Sequence, residues 1–301
     1  MRSTEDPDPA GEPVDLLRVR PAPPLDALVE CLWYCERSAP LEHGEFMLPS
    51  GQAQLVFALH EQPLLLLGTA AGLPAVRWRG AMVHGPQWGH YACGPKPRGV
   101  CAGVSFRAGA AGAVLGVPMS ELAGQHLALN TLWPRRGARL LERLREASGP
   151  RRVLEVLEHE LSAQLCPPLL MHPAVAQALQ GGSLARADVR IGALARELGY
   201  SSRHFIALFR RAVGLTPKHY QRVQRLHTLL RQQAGGGSPS LAALAADGGY
   251  ADQAHLTREF RALAGITPSE YRPAGPASPL HHRVGAGREV KILQDPRACH
   301  D

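Results

Sequence analysis

The chain has 301 residues, of which 45% are hydrophobic and 20% are charged, so it can form the buried cores of two domains of ordinary size. No apolar run approaches the roughly 20 residues that a membrane helix needs, and the first residues, rich in Pro, Asp and Glu, lack the apolar core of a signal peptide. The formal net charge is +7, an excess of basic residues. We therefore expect a soluble, cytoplasmic protein.

The N-terminal half predicts a small antiparallel β structure followed by helices. After a lead-in, residues 1–15, whose composition favours disorder, Pro23–Glu36 places apolar side chains at helical spacing and predicts a short helix. Apolar runs separated by Gly and Pro then predict strands at Ala53–Leu59, Leu64–Leu67, Ala75–Trp78, Ala81–His84 and Val100–Phe106. Helices are predicted at Ala108–Leu115, Met119–Gly124, Gly137–Ala147 and Arg151–Leu165.

Two prolines, Pro167 and Pro168, cannot continue the last of these helices and predict a domain boundary, so that the first domain covers residues 16–168. Pro173 occupies the favoured first position of a new helix, which opens a second, all-helical domain at residues 172–273. The composition of residues 274–301 turns to Gly, Pro, His and Arg, which favours a disordered tail. The predicted fold class is therefore α+β, a cupin-like or related β domain joined to an all-α domain.

One motif in the second domain occurs twice. Leu194–Tyr200 returns as Leu244–Tyr250, and each copy continues with Phe-Arg, then Gly-x-Thr-Pro, then Tyr. A repeat at this spacing indicates one supersecondary unit built twice. Each copy predicts a helix (Ile191–Leu198; Leu241–Asp247), a tight turn at Gly-Tyr and a second helix, which is the order of elements in a helix-turn-helix. Pro217–Gln233 predicts the long helix that joins the copies.

The charge is concentrated in the same region. Residues 184–272 contain thirteen Lys or Arg and six Asp or Glu, a net charge of +7 that equals the charge of the whole chain. A basic excess confined to one segment is typical of polyanion binding. Because it coincides with the doubled helix-turn-helix, it indicates DNA as the partner.

The doubled motif resembles the AraC/XylS family of bacterial transcription regulators. The resemblance rests on Gly199-Tyr200-Ser201, Gly214-Leu-Thr-Pro217, Gly249-Tyr250 and Leu256–Arg261 with Gly265–Arg272, about 100 residues in all. It implies a sequence-specific DNA-binding regulator, not an enzyme and without a cofactor, whose partners are promoter DNA and, as open possibilities, RNA polymerase, a small-molecule effector or a second copy of the chain. The N-terminal segment, through Val29–Trp33, Leu48–Gly51 and Gly103–Gly109, is similar to sensor-type domains attached to such regulators.

The predicted recognition helices supply the candidate site residues. For base reading these are Arg203, Ile206, Ala207, Gln253, Ala254, Thr257 and Arg258. For phosphate contacts they are Ser202, Arg210 and Arg261. Arg suits guanine and Gln suits adenine, whereas Ile206 and Ala207 offer only contact with thymine methyl groups or the groove wall. The second copy is therefore expected to be the stronger reader, with Arg203 the exception in the first.

Two alternatives stay open. A ligand-independent architectural DNA-binding protein would have the same sequence features. A cupin-type metalloenzyme would need clustered ligands, but His84 and His90, which flank Gly85–Gly89, form no His-x-His pair, and no metal or catalytic site is predicted. The six cysteines are mostly expected to be buried and reduced; a redox or soft-metal sensor would use Cys31, Cys35, Cys93 or Cys101, the first two sharing a face if they lie on a helix.

Overall fold

The fold is α+β, as predicted. The computed structural model describes residues 14–41, 44–69, 75–164, 171–180, 184, 189–234, 240–273 and 280–283. Within these residues, all but one of the strands precede residue 129, and the helices of the second domain follow residue 172. None of the described helices is long and apolar enough to cross a membrane.

The strands form two antiparallel sheets. Their bounds are β1 Val14–Val19, β2 Val29–Arg37, β3 Glu45–Met47, β4 Gln54–Ala58, β5 Leu64–Thr69, β6 Val76–Trp78, β7 Ala81–His84, β8 Tyr91–Cys93, β9 Gly99–Phe106, β10 His126–Ala128 and β11 His281–Arg283. The six-stranded sheet has the order β1-β2-β9-β4-β7-β10, and the five-stranded sheet has the order β11-β3-β8-β5-β6. The strands predicted from the apolar runs are therefore confirmed.

The first helices cover the six-stranded sheet. They are α1 Gly112–Leu115, α2 Met119–Leu122, α3 Leu129–Leu132, α4 Pro134–Glu146 and α5 Pro150–Ser162. Leu140, Leu144 and Leu157 from α4 and α5 share the largest core cluster with Leu55 and Val104 of the sheet. A smaller cluster, which includes Ala58, Leu66, Trp78, Met82 and Tyr91, contains residues of both sheets.

The helix predicted within Pro23–Glu36 is wrong. Apart from a single 3-10 turn at Leu25–Ala27, the segment forms strand β2. Val29 and Leu32 are three residues apart and would face opposite sides of a regular strand, but a register shift between Val29 and Cys31 lets both enter the core. The bulge thus imitates helical spacing in the sequence. Cys31 and Cys35 accordingly lie on a strand, with Cys35 opposite Cys101.

The helices of the second domain agree with the predicted repeat. They are α6 Pro173–Leu179, α7 Ile191–Glu197, α8 Ser202–Val213, α9 Pro217–Ala234, α10 Leu241–Asp247 and α11 Gln253–Ala264. Each helix-turn-helix has its own core, and α9 contributes to both, with Tyr220 and Val223 in the first and Leu226, Leu229 and Leu230 in the second. The continuous helix α9 therefore connects the two units through buried side chains.

The expectation of disorder after residue 273 does not hold for residues 280–283. His281–Arg283 form β11, which pairs with Glu45–Met47 of β3. The Glu45 carboxylate, almost fully buried, accepts hydrogen bonds from Lys96 and from the His281 ring. Burial alone would raise the pKa of Glu45, but Lys96 and His281 outweigh burial and hold that pKa well below its usual value. The other residues of the tail, like those of the lead-in before residue 14, lie outside the described part of the chain.

Candidate nucleic-acid interface

The first helix-turn-helix is built from α7 and α8. Gly199 forms the turn at a φ of +80°, a conformation that favours glycine, and the Tyr200 amide donates to the Ala195 carbonyl at 2.9 Å. Ser201 caps α8, its hydroxyl accepting from the His204 amide at 3.3 Å. Because Phe205 and Phe209 are fully buried, the orientation of α8 is fixed by the core beneath it.

The second copy repeats these contacts at equivalent positions. Gly249 has a φ of +68°, and the Tyr250 amide donates to the Ala245 carbonyl at 2.8 Å. Asp252 caps α11 in place of the serine, its carboxylate accepting from the His255 amide at 2.6 Å. Phe260 is buried in the position of Phe209. The two recognition helices therefore have the same construction but differ in charge at their first turn.

The structure places every candidate DNA-contacting residue on the outer face of a recognition helix. On α8 the exposed set is Ser202, Arg203, Ile206, Ala207 and Arg210. On α11 it is Gln253, Ala254, Arg258 and Arg261, with Thr257 partly buried. The Thr257 hydroxyl donates to the Gln253 carbonyl at 2.8 Å, so it is engaged by its own helix. Ile206 is one of few large apolar side chains in the described residues that remain exposed, with 37% of its surface accessible.

An ion pair with a buried carboxylate fixes α11 on the linker helix. The Arg222 guanidinium of α9 contacts Glu259 of α11 at 2.7 Å, and the second carboxylate oxygen lies 3.5 Å from the His255 ring. One turn along α9, the Arg225 guanidinium lies over the Tyr250 ring, 5.4 Å from its centroid. Leu208 stands where Glu259 stands in the other copy, so the repeat itself did not predict this pair.

Comparison with known proteins agrees with this geometry. Residues 194–274 match a family model described as a helix-turn-helix domain. A curated relative, the HTH-type transcriptional regulator Rv1931c of Mycobacterium tuberculosis, is 36% identical over 97 residues, which cover 31% of this chain and 37% of the relative. This segment is thus similar to the AraC-type helix-turn-helix domains of transcription regulators, and we refer to the helical domain that contains it as the AraC-type domain. The match thus spans little more than a third of that relative's length.

Outside the AraC-type domain the comparisons are less informative. Residues 17–128 match a domain of unknown function, DUF6597. Among solved structures, ToxT from Vibrio cholerae O395 aligns with 79% of this chain and 96% of its own, at 10% identity and a TM-score of 0.43. A fatty-acid-bound ToxT from strain SCE256 aligns with 79% of this chain and 94% of its own, at 8% identity and a TM-score of 0.42. Similarity at this level carries no functional argument.

The N-terminal domain packs directly on the AraC-type domain. The loop at Pro49–Gly51 sits on α9, where the His227 ring nitrogen lies 2.8 Å from the Pro49 carbonyl oxygen. A Cβ added at Gly51 would lie 3.4 Å from both Tyr220 and Val223, so the backbone approaches the helix closely. Leu48 joins the core of the second helix-turn-helix. Sequence reasoning missed this interface, because nothing in the local pattern of these loop residues marks a contact between domains.

The two histidines considered as possible metal ligands have different partners. The His84 ring meets His126, with 2.6 Å between the two Nδ1 atoms, whereas His90 lies at the interface with the AraC-type domain. Burial lowers the pKa of His126 to about 4, and burial together with the neighbouring His126 and Lys96 lowers that of His84 well below its usual value. Both rings are therefore neutral at pH 7, and one donates to the other. Among the described residues, no three His, Cys, Asp or Glu side chains are grouped as a metal site.

Proposed function

We propose that the protein is a sequence-specific DNA-binding transcription regulator that reads two successive major grooves. The observation that carries this proposal is the pair of equivalent recognition helices, α8 and α11, whose outer faces are exposed while their inner faces are anchored to one continuous helix, α9. Two helices held in this way can enter adjacent major grooves about 34 Å apart on one face of the duplex.

Residue roles follow from the chemistry of the exposed set. Arg203 and Arg258 each present a guanidinium that suits the paired acceptors of guanine, and Gln253 presents an amide that suits adenine. Apolar contacts with thymine methyl groups are assigned to Ile206, Ala207, Ala254 and Thr257. Phosphate contacts fall to Ser202, Arg210 and Arg261.

The difference between the helix caps supports unequal roles for the copies. Ser201 leaves the N-terminus of α8 neutral, and the positive end of the helix dipole there favours a phosphate. The carboxylate of Asp252 at the same point of α11 opposes a phosphate. We therefore assign base discrimination mainly to α11 and backbone anchoring mainly to α8, where Arg203 is the residue that reads a base by hydrogen bonds.

We assign control of DNA binding to the N-terminal domain, with domain limits of 16–168 and 172–273. Its contacts with α9 and with the second helix-turn-helix couple its conformation to the DNA-binding surface. Either a small-molecule effector or dimerisation could act through that contact. A thermal-shift screen of the full chain against small molecules tests for an effector. An effector that binds the folded protein raises its Tm, whereas no ligand changes the Tm of an architectural protein.

The decisive experiment is binding-site selection from random duplex DNA with the purified full chain, followed by footprinting on the selected sequence. We expect a defined sequence and protection of two successive major grooves on one face. An Arg152→Ala variant loses an arginine at an exposed position of α5, away from the recognition helices, and should select the same sequence as the unmodified chain. Protection of a single groove, or enrichment of no sequence, would refute the proposal.

A further inference from the structure

One loop of the N-terminal domain contacts both copies of the repeat at the same repeat position. Gly214 ends α8 and Gly265 ends α11, and both are the glycine of the Gly-x-Thr-Pro motif. A Cβ added at Gly214 would lie 2.9 Å from the Pro86 ring, and one added at Gly265 would lie 2.5 Å from the His90 ring. We name the loop Gly85–His90 the bracket.

The backbone strengthens both contacts. The His90 amide donates to the Leu263 carbonyl at 2.8 Å, which satisfies one of the carbonyls left free at the end of α11. Beside α8, the Met119 carbonyl oxygen of α2 would lie 2.9 Å from a Cβ at Gly214. A side chain at Gly214 would therefore collide with the Met119 backbone and the Pro86 ring, and one at Gly265 would displace the His90 ring.

The bracket is held rigidly by its own domain. Its Gln87 side chain is buried and donates to the Gly85 and Gln125 carbonyls at 3.1 and 3.3 Å. The Gly124 amide donates to the Pro86 carbonyl at 2.9 Å, and the Trp88 ring packs against Gly124. A loop tied at these points can fix the positions of the elements that it touches.

The contacts lie away from the DNA-reading side chains. The bracket meets the C-terminal ends of α8 and α11, whereas Arg203 and Gln253 lie in the first turn of each helix and are exposed. The N-terminal domain therefore does not cover the reading faces in this arrangement.

We propose that the bracket, through Pro86 and His90, sets the relative placement of the two recognition helices. It would thereby set the spacing that the protein accepts between the two DNA half-sites, one read by α8 and the other by α11. The inference rests on the proposed DNA-binding function and adds a positioning role for residues of the N-terminal domain. Helices held at the required spacing before binding lose less conformational freedom on DNA, so the bracket raises affinity for one spacing and lowers it for others.

The test compares the full-length protein with a P86A/H90A variant on the selected site. The DNA series carries insertions or deletions of one to five base pairs between the half-sites, plus a duplex with one half-site scrambled. P95A/H159A is the matched control, with the same residue types replaced at exposed positions of the same domain. A thermal unfolding curve shows whether the double variant folds. If it does not, the single variants P86A and H90A, each of which removes one of the two contacts, replace it.

We expect wild type and control to prefer one spacing sharply. The P86A/H90A variant should lose roughly tenfold in affinity at that spacing, as when the competent arrangement falls to about a tenth of the population, with a flatter spacing profile. Its affinity for the single half-site should be unchanged. Equal losses on the half-site, a gain in affinity, or no change at all would overturn the bracket's role while leaving DNA binding intact. A wild-type protein that binds no sequence would overturn both.

Discussion

Arg222 and Glu259 join the linker helix to the second recognition helix through an ion pair of 2.7 Å whose carboxylate is only 7% exposed. Removing one partner of a buried pair leaves the other charge uncompensated, whereas replacing both by apolar groups removes that penalty. The first copy provides the natural comparison, since Leu208 occupies the position of Glu259.

We predict that Arg222→Met lowers the free energy of unfolding by about 1–3 kcal/mol, less than for a fully buried pair, because Arg222 is partly exposed and the His255 ring stays beside the carboxylate. The double variant R222M/E259L, which copies the apolar solution of the first repeat, should recover most of that loss. Chemical denaturation of the three proteins measures both effects. A double variant as unstable as the single one would show that the pair does not act through charge compensation.

We predict that Arg210→Ala and Arg261→Ala weaken binding to all DNA sequences alike. Each variant loses a phosphate contact, so fewer counterions are released and the slope of log affinity against log salt should become shallower by about one unit. Titrations at several salt concentrations on specific and random DNA provide the measurement. A changed base preference with an unchanged slope would instead assign the residue to base reading.

We predict that Arg258→Ala relaxes specificity at one base pair, with a discrimination loss of about 1–3 kcal/mol, and that Arg203→Ala does the same at another. Ile206→Ala should cost little, because the aliphatic side chain of isoleucine offers no hydrogen bond. Site selection with the three variants ranks them directly. If Ile206→Ala loses more discrimination than Arg258→Ala, then α8 is the principal reader.

We predict that acid destabilises the N-terminal domain through His84 and His126. In the unfolded chain both histidines protonate near pH 6.5, whereas the folded pKa of His126 is about 4 and that of His84 is also lowered. The stability that the neutral pair contributes is therefore present above pH 6.5 and is lost as the pH falls towards 4. For His126 alone the loss is on the order of 3 kcal/mol.

The measurement is the free energy of unfolding between pH 7.5 and 4 for wild type, H84L/H126L and the exposed control H159L. The double variant should show a weaker pH dependence than the other two. Because His60, His90, His219 and His227 also have lowered pKa values, some dependence should remain in it. Parallel curves for all three proteins would exclude the pair as its source.

The sequence predicted elements whose signals are local. Helix α10 agrees with its predicted bounds because Ser240 caps it and Gly248 and Gly249 follow it. Strand β2 was misjudged because a bulge at Val29–Cys31 places residues at helical spacing in the core of a sheet. The exposed faces of α8 and α11 follow from periodicity, whereas the contacts of Pro86 and His90 depend on how two domains meet. The interface between the domains is a tertiary contact, and no local sequence pattern marks it.

The pairing of β11 with β3 has a consequence for how the two domains can move. The AraC-type domain follows the N-terminal domain in the chain and then returns to it, since the segment after Tyr271 adds a strand to the N-terminal sheet. A domain that is joined to its neighbour only by the connecting chain can rotate relative to it. The AraC-type domain is also held by the β11–β3 pairing, which restricts that rotation. Large rotation of the DNA-binding domain would therefore require His281–Arg283 to leave the sheet edge.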